Sequence, residues 1–169
     1  MHDEKSGVSQ ATGIDDDNPK GAGVRFPPPL IFLLCLFASI GLQWVLQLDL
    51  GIPEPLNLLG LIFVVIAIAI MTVTALAFRR AHTAIEPWKP TSTMLYSGCY
   101  AFSRNPIYLS FCLCLFGLGI AANNIWLLLS FIPCGIAIYY VAIAREEAYL
   151  ERKFGEEYLQ FKRRVRRWL

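Results

Sequence analysis

Residues 107–144 contain no charged side chain, although charged residues stand on both sides of the segment. The segment is too long for a single membrane crossing, which takes about 20 apolar residues. It is long enough for two shorter crossings that turn back at Asn123 and Asn124. Hydrocarbon excludes charged groups, whereas a soluble domain has no need of so long an uncharged stretch. The segment therefore predicts a helical hairpin in a membrane, with its two polar ends at the same membrane face.

The positive charges are sorted along the chain. All 15 Lys and Arg residues lie in the segments 5–25, 79–104 and 145–167. The loop 48–55 has two acidic residues but no Lys or Arg. Because cytoplasmic loops carry an excess of Lys and Arg, we predict that both termini and the 79–104 loop face the cytoplasm. The expected location is a bacterial inner membrane.

The predicted fold is all-α and integral to the membrane, in keeping with 56% apolar residues. Residues 1–24 are expected to be a disordered polar tail and 25–169 a single membrane domain. The last two of the predicted transmembrane helices form the tight hairpin. Four such helices are expected, at residues 30–47, 56–78, 107–122 and 125–144.

Residues 145–165 follow a different pattern, in which apolar and aromatic side chains recur every three or four residues between charges. This spacing predicts an amphipathic helix on the cytoplasmic surface. We expect a break or a close contact at Gly155, because glycine weakens a helix interior. Eight Lys and Arg residues lie in 145–167, so anionic lipid is the expected partner of this helix.

Two polar clusters border the charge-free segment. The first contains Gly98-Cys99-Tyr100 and Arg104-Asn105-Pro106-Ile107-Tyr108, and the second contains Arg145-Glu146-Glu147 and Phe154-Gly155-Glu156-Glu157-Tyr158. The unpaired amides at a helix start can hold an anion, and a carboxylate can accept hydrogen bonds from a hydroxyl or an ammonium group. Each group also has a structural interpretation: interfacial aromatics, a proline-led helix start, and acids paired with the basic tail.

The five cysteines have no CxxC spacing and are predicted to be packing residues rather than metal ligands or disulfides. We expect no metal and no nucleic-acid partner. His82 is the one histidine beyond the tail, and we interpret it as an interfacial residue, with a role as a base left open.

Together the two clusters resemble the C-terminal half of the isoprenylcysteine carboxyl methyltransferases and the related phospholipid methyltransferases. The resemblance covers about residues 91–165 and rests on Gly-x-Tyr, Arg-Asn-Pro-x-Tyr, the apolar hairpin and Glu-Glu-x-x-Leu-x-x-x-Phe-Gly-x-Glu-Tyr. It implies an integral membrane enzyme that takes S-adenosylmethionine without a Rossmann domain. The chain has no GxGxxG motif, which agrees with this.

Carried over by position, the resemblance also implies the residues of the site. Catalytic or supporting roles fall on Arg104 and Glu147. Cofactor contacts fall on Met94, Leu95, Tyr100, Asn105, Pro106, Tyr108, Glu146 and Tyr158.

Three positions depart from the prenylcysteine enzymes. Asn105 stands where they have histidine, Ala142 stands where they place a substrate-binding arginine, and Val165-Arg166-Arg167 replaces a Val-Pro ending. The predicted acceptor is therefore lipid-like or prenylated and enters from the bilayer. Carboxylate O-methylation is favoured, because a carboxylate is ionised near neutral pH and needs no base. The alternatives are an NADPH-dependent membrane reductase resembling the sterol reductases and a non-catalytic, lipid-binding membrane scaffold.

Overall fold

The computed structural model of the chain describes residues 22–24, 26–81, 89 and 94–169. Within these ranges the regular secondary structure is helical and contains no strand. The greater part of the predicted polar tail, residues 1–21, and His82 lie outside the described residues. The helices are α1 Pro28–Leu46, α2 Gly60–Arg80, α3 Pro106–Ala121, α4 Ile125–Leu129, α5 Phe131–Ile138, α6 Ala144–Phe154 and α7 Glu156–Arg164.

Three helical runs in the described residues are long and apolar enough to cross a membrane, at Pro28–Leu46, Leu56–Arg80 and Ile125–Phe154. The third predicted span, α3, has 16 residues and is shorter than a crossing normally needs. Pro106 fixes the start of α3, since proline suits the first helical turn. Helix length therefore does not confirm the predicted count of four spans: the hairpin has one short arm, of the predicted 16 residues, and one long arm.

The long arm of the hairpin changes its helical geometry before it ends. A π-helical turn at Tyr139–Ile143 joins α5 to α6 without a loop, so the helix continues past the last uncharged residue. The sequence predicts one amphipathic helix over 145–165, but the structure has two, α6 and α7. They are separated by Gly155, whose φ of 52° lies in the region that favours glycine. The break expected at Gly155 is thus present.

The loop before α2 and the turn of the hairpin lie together at one end of the molecule. The side-chain oxygen of Asn123 accepts a hydrogen bond from the Ile52 amide at 3.2 Å. Asn57 Nδ2 donates to the Ala121 carbonyl at 3.1 Å, while Asn124 caps α4 by accepting from Leu127 N at 3.0 Å. These bonds place the two loops without Lys or Arg at the same end, as the charge distribution predicts.

The outer faces of α1 and α2 are apolar. Buried residues on α1 are limited to Pro28, Ile31 and Ser39, and large side chains such as Phe37, Trp44 and Val65 stay exposed. So large an apolar surface would be costly in water but suits lipid. The composition, the long apolar helices and this surface together indicate an integral membrane protein.

Helices α2 and α3 approach most closely through two glycines. A Cβ added at Gly117 would lie 2.7 Å from the Gly60 carbonyl oxygen, 2.8 Å from Phe63 Cβ and 2.9 Å from Val64 N. Real Cβ contacts are longer than this, so the crossing depends on the missing side chain. Small residues allow helix backbones to approach in the same way in other membrane proteins.

Gly117→Ala is expected to lower the free energy of unfolding by about 1–3 kcal/mol, because the added methyl group forces α2 and α3 apart. The measurement is the thermal unfolding midpoint of the purified protein in neutral detergent. Gly41→Ala is the matched control, since a Cβ at that helical position meets nothing within 4 Å. Equal midpoints for the two variants would contradict the close crossing.

Candidate functional site

The two polar clusters of the sequence meet at the end of the molecule where α3 begins. The Tyr108 hydroxyl, in the first turn of α3, donates a hydrogen bond to Glu146 Oε1 on α6. Pro106 is buried at the first position of α3, which fixes the helix start beneath Tyr108. A residue from each cluster is therefore in direct contact, 38 positions apart in the chain.

Tyr100 completes an aromatic and acidic group that we call the Glu146 cluster, made of Tyr100, Tyr108 and Glu146. Tyr100 lies in a 3₁₀ turn at Gly98–Ala101, and its ring packs edge-on against Phe78 of α2 at 6.0 Å. Burial, and then the nearby Glu146 carboxylate, raise the pKa of Tyr100. The Tyr100 hydroxyl therefore stays protonated and available as a donor near neutral pH.

The neighbouring acid belongs to a separate group, the Glu147 cluster, made of Glu147, Arg104 and Arg167. Arg167 Nε and Nη2 donate to the two oxygens of Glu147 at 2.8 and 2.9 Å. Arg104 Nη2 lies 3.4 Å from Glu147 Oε1. The carboxylate, whose side chain is 11% exposed, is thus held between two guanidinium groups. The hydrogen bonds to Glu147 raise the pKa of Arg167.

Tyr158 of α7 packs beside the Glu147 cluster and is only 2% exposed. Burial, and then the charge of Glu147, raise the pKa of Tyr158 to about 12, with Arg104 acting in the opposite direction. Tyr158 therefore stays protonated at physiological pH. The structure groups this predicted site residue with Glu147 rather than with Tyr108.

Two of the donor atoms of Arg104 have no hydrogen-bond partner among the described residues. Its side chain is 7% exposed, and its Nε and Nη1 atoms are buried without a hydrogen-bond partner among the residues that the structure describes. Leaving buried donors unpaired costs free energy, more so when they are charged. A carbonyl or anionic group that reached these two atoms would meet donors that are already desolvated.

Asn105 and Ser103 connect the start of α3 to the C-terminal segment, residues 165–169, which follows α7. Asn105 Nδ2 donates to the Arg167 carbonyl at 3.1 Å, and Ser103 Oγ donates to the same oxygen at 3.3 Å. The Arg104 amide donates to the Arg166 carbonyl at 3.0 Å. The side-chain nitrogen of Asn105 is thus engaged by the chain's own backbone.

Met94 and Leu95 are partly buried in the irregular segment before the 3₁₀ turn. Next to them, the Tyr96 hydroxyl donates to Glu157 Oε1 at 2.6 Å, and the Tyr96 ring packs on Phe161 at 5.2 Å. Burial and the hydrogen bond to Glu157 raise the pKa of Tyr96 to about 12. These contacts attach the segment to α7. The structure brings the predicted residues Tyr100, Tyr108 and Glu146 together in one group and Arg104, Glu147 and Tyr158 in another.

Sequence reasoning missed Arg167 and Ser103 as parts of this site. The departure from a Val-Pro ending at Val165-Arg166-Arg167 was a visible signal for Arg167. Arg167 is one of eight Lys and Arg residues in 145–167, and the composition of this group predicts lipid binding for all of them alike. Nothing in the sequence distinguishes Ser103 from an ordinary loop serine.

Glu147→Gln is expected to lower the free energy of unfolding by about 2 kcal/mol, because it leaves two guanidinium groups without a counter-charge. Glu156→Gln is the control: Glu156 forms an exposed pair with Arg163 at 3.7 Å, and its loss should cost less than about 0.5 kcal/mol. Both are read from thermal unfolding in detergent. A Glu147 variant as stable as the Glu156 variant would show that the cluster does not stabilise the fold.

Two comparisons with known proteins bear on this arrangement. A curated relative, an uncharacterized protein of Haemophilus influenzae, is 47% identical over 53 residues, which cover 28% of this chain and 84% of that protein. A family model described as phospholipid methyltransferase matches residues 56–157, more than half of the chain, including both polar clusters up to Glu157. The match gives no support to the reductase interpretation. The chain belongs to the phospholipid methyltransferase family, whose members are membrane methyltransferases that act on lipids.

Proposed function

We propose that the protein transfers a methyl group from S-adenosylmethionine to a lipid-like or prenylated acceptor, and that the Glu146 cluster forms part of the binding site. The observation that carries the proposal is the hydrogen bond from Tyr108 to Glu146. It joins the Arg-Asn-Pro-x-Tyr segment to the Glu-Glu segment, two of the motifs on which the resemblance rests.

The donors and acceptors at this end of the molecule suit such a cofactor. S-adenosylmethionine carries a carboxylate, an ammonium group and an adenine ring. The unpaired Nε and Nη1 atoms of Arg104 suit the carboxylate, and the Glu146 carboxylate suits the ammonium group. The rings of Tyr100 and Tyr108 offer flat faces for stacking. The residues present therefore fit the group that the family implies.

When bound, S-adenosylmethionine supplies an electrophilic methyl group. The task of the protein's own residues is to bind and orient the two reactants and to exclude water from the place where they meet. Glu146 is suited to orientation, because one of its oxygens already accepts from Tyr108 and is fixed by that bond. Glu147, held by Arg104 and Arg167, supports the site without facing the reactants.

The acceptor is proposed to be a lipid that arrives from the bilayer, with carboxylate O-methylation as the favoured reaction. A carboxylate is already ionised near neutral pH, so methylation requires no proton transfer to the enzyme. Ala142 is fully buried in the π-helical turn and offers no charge to a prenylcysteine. The acceptor's polar group would instead meet the cationic end of the molecule.

We further propose that the site faces the cytoplasm. Arg79 and Arg80 end α2 at this end of the molecule, and the C-terminal segment adds further cations. Exposed side chains there include Arg152, Lys153, Arg163 and Arg166. Each cation near an anionic leaflet contributes about 1 kcal/mol of attraction, so this surface is proposed to bind anionic lipid.

The first test is cofactor binding by calorimetric titration of the purified protein in neutral detergent. The wild-type protein should bind S-adenosylmethionine and not NADPH. Glu146→Gln and Tyr108→Phe should each raise the Kd about tenfold or more, the loss expected for a hydrogen bond to a charged group.

Tyr140→Phe is the matched control for Tyr108→Phe, because Tyr140 lies on the same hairpin but is 70% exposed on its outer face. Its Kd should equal that of the wild-type protein. Unchanged affinity in both site variants would remove the Glu146 cluster from the binding site. No measurable affinity in the wild-type protein would contradict the proposed function itself.

The second test identifies the acceptor by incubating the protein in its native membrane with S-adenosylmethionine labelled in the methyl group. Label is expected in the lipid extract and should be released as methanol by mild alkali, because methyl esters hydrolyse and N-methyl groups do not. Alkali-stable label on a lipid headgroup would show amine methylation and overturn the carboxylate proposal. Glu146→Gln in the same membrane is the control for background transfer.

A further inference from the structure

The C-terminal segment lies across the start of α3 and is bound there through its main chain. The carbonyls of Arg166 and Arg167 accept hydrogen bonds from the Arg104 amide and from Asn105 Nδ2 at 3.0 and 3.1 Å. Trp168 packs against the buried core of the helices. The C-terminal segment is therefore packed against the start of α3 and the helix core, beside the residues of the candidate site.

The Arg167 side chain then crosses to α6. Its two nitrogens reach the two oxygens of Glu147 at 2.8 and 2.9 Å, a bidentate geometry that a single ammonium group cannot reproduce. The guanidinium carbon also lies 5.0 Å from the ring centre of Tyr139, at the beginning of the π-helical turn. Arg167 is therefore in contact with the beginning of the π-helical turn and with the first turn of α6 beyond it.

The direction in which Glu146 points depends on the rotation of α6, which follows directly after this connection. Successive helical residues point about 100° apart around the axis, so a carboxylate fixed at Glu147 fixes the direction of Glu146 as well. A π-helical turn lies immediately before α6 and alters the helical register there. The bidentate contact of Arg167 with Glu147 restrains the rotation of α6 about its axis directly after this turn.

We infer that Arg167 is a positioning residue: by holding Glu147, and through its carbonyl the side chain of Asn105, it directs Glu146 toward Tyr108 and the cofactor. The inference rests on the proposed function for its ligand, S-adenosylmethionine. It assigns to Arg167 a role distinct from the attraction to anionic lipid expected of the other C-terminal cations.

The test compares Arg167→Gln and Arg167→Lys with Arg80→Gln, which removes one exposed cation from the same end of the molecule. Titration in neutral detergent excludes any effect of anionic lipid. Arg167→Gln should raise the Kd for S-adenosylmethionine about tenfold, as expected when a charged hydrogen-bonded contact that orients a ligand group is lost. Arg167→Lys, which keeps the charge but loses the bidentate geometry, should fall between Arg167→Gln and the wild type, while Arg80→Gln should match the wild type.

A second measurement separates positioning from simple stabilisation. Thermal unfolding is recorded for each variant, and the Kd is determined on the folded fraction alone. A purely structural role would lower the unfolding midpoint and leave that Kd within about twofold of the wild type, which would overturn the inference. If Arg167→Gln does not fold, the same comparison between Arg167→Lys and Arg80→Gln decides the question.

Hydrogen exchange without ligand makes the result independent of the proposed function. The Arg104 amide, bonded to the Arg166 carbonyl, and the neighbouring Asn105 amide should exchange faster in the Arg167 variants than in Arg80→Gln. If the wild-type protein does not bind S-adenosylmethionine, the proposed function fails, but unchanged exchange is what would refute the anchoring role of Arg167.

Discussion

A carboxylate buried between two guanidinium groups holds the polar end of this protein together. Glu147 belongs to α6, Arg104 precedes α3, and Arg167 comes from the C-terminal segment, so three separate parts of the chain meet at one charge. Such a group is costly to desolvate and is stable only when all its partners are present. Tyr158, the residue that precedes the start of α3 by two positions and the C-terminal segment all pack around this charge.

The same interaction divides two adjacent acids between two tasks. Glu147 is engaged on both oxygens by arginine, whereas Glu146 meets a tyrosine hydroxyl on one oxygen and an aromatic surrounding. Their directions differ because they are successive residues on one helix. A Glu-Glu pair at a membrane surface can thus provide an anchor and a ligand-facing group within a single turn.

Much of this arrangement could be predicted from the sequence. The charge-free stretch 107–144 requires a return path, and it correctly predicts that Tyr108 and Glu146 meet. The position of the two loops without Lys or Arg follows from the charges in the same way. These features depend on which residues favour water and which favour lipid, and that preference can be read from each residue type. Gly155 also signals its own break, because few other residues adopt its backbone angles.

Other features depend on tertiary contacts that leave no local pattern. A basic tail has the same composition whether its arginines face lipid or a buried carboxylate, so the role of Arg167 could not be separated from that of Arg166. The π-helical turn at Tyr139–Ile143 has no distinctive sequence, since it results from how the hairpin packs. The bounds predicted for α3, 107–122, lie one residue later than the observed Pro106–Ala121, because the apolar pattern continues into the turn, where Asn123 adopts a positive φ.

The shortness of α3 has a consequence for the surrounding lipid. A helix of 16 residues rises about 24 Å, several ångströms less than the roughly 30 Å hydrocarbon core of a typical bilayer. Hydrophobic mismatch of this kind is relieved by local thinning of the bilayer or by polar groups reaching inward. Thinning beside the start of α3 would bring the headgroup layer closer to Tyr108. For the proposed methyl transfer, such thinning would let a lipid's polar end approach the Glu146 cluster without its tails leaving the membrane.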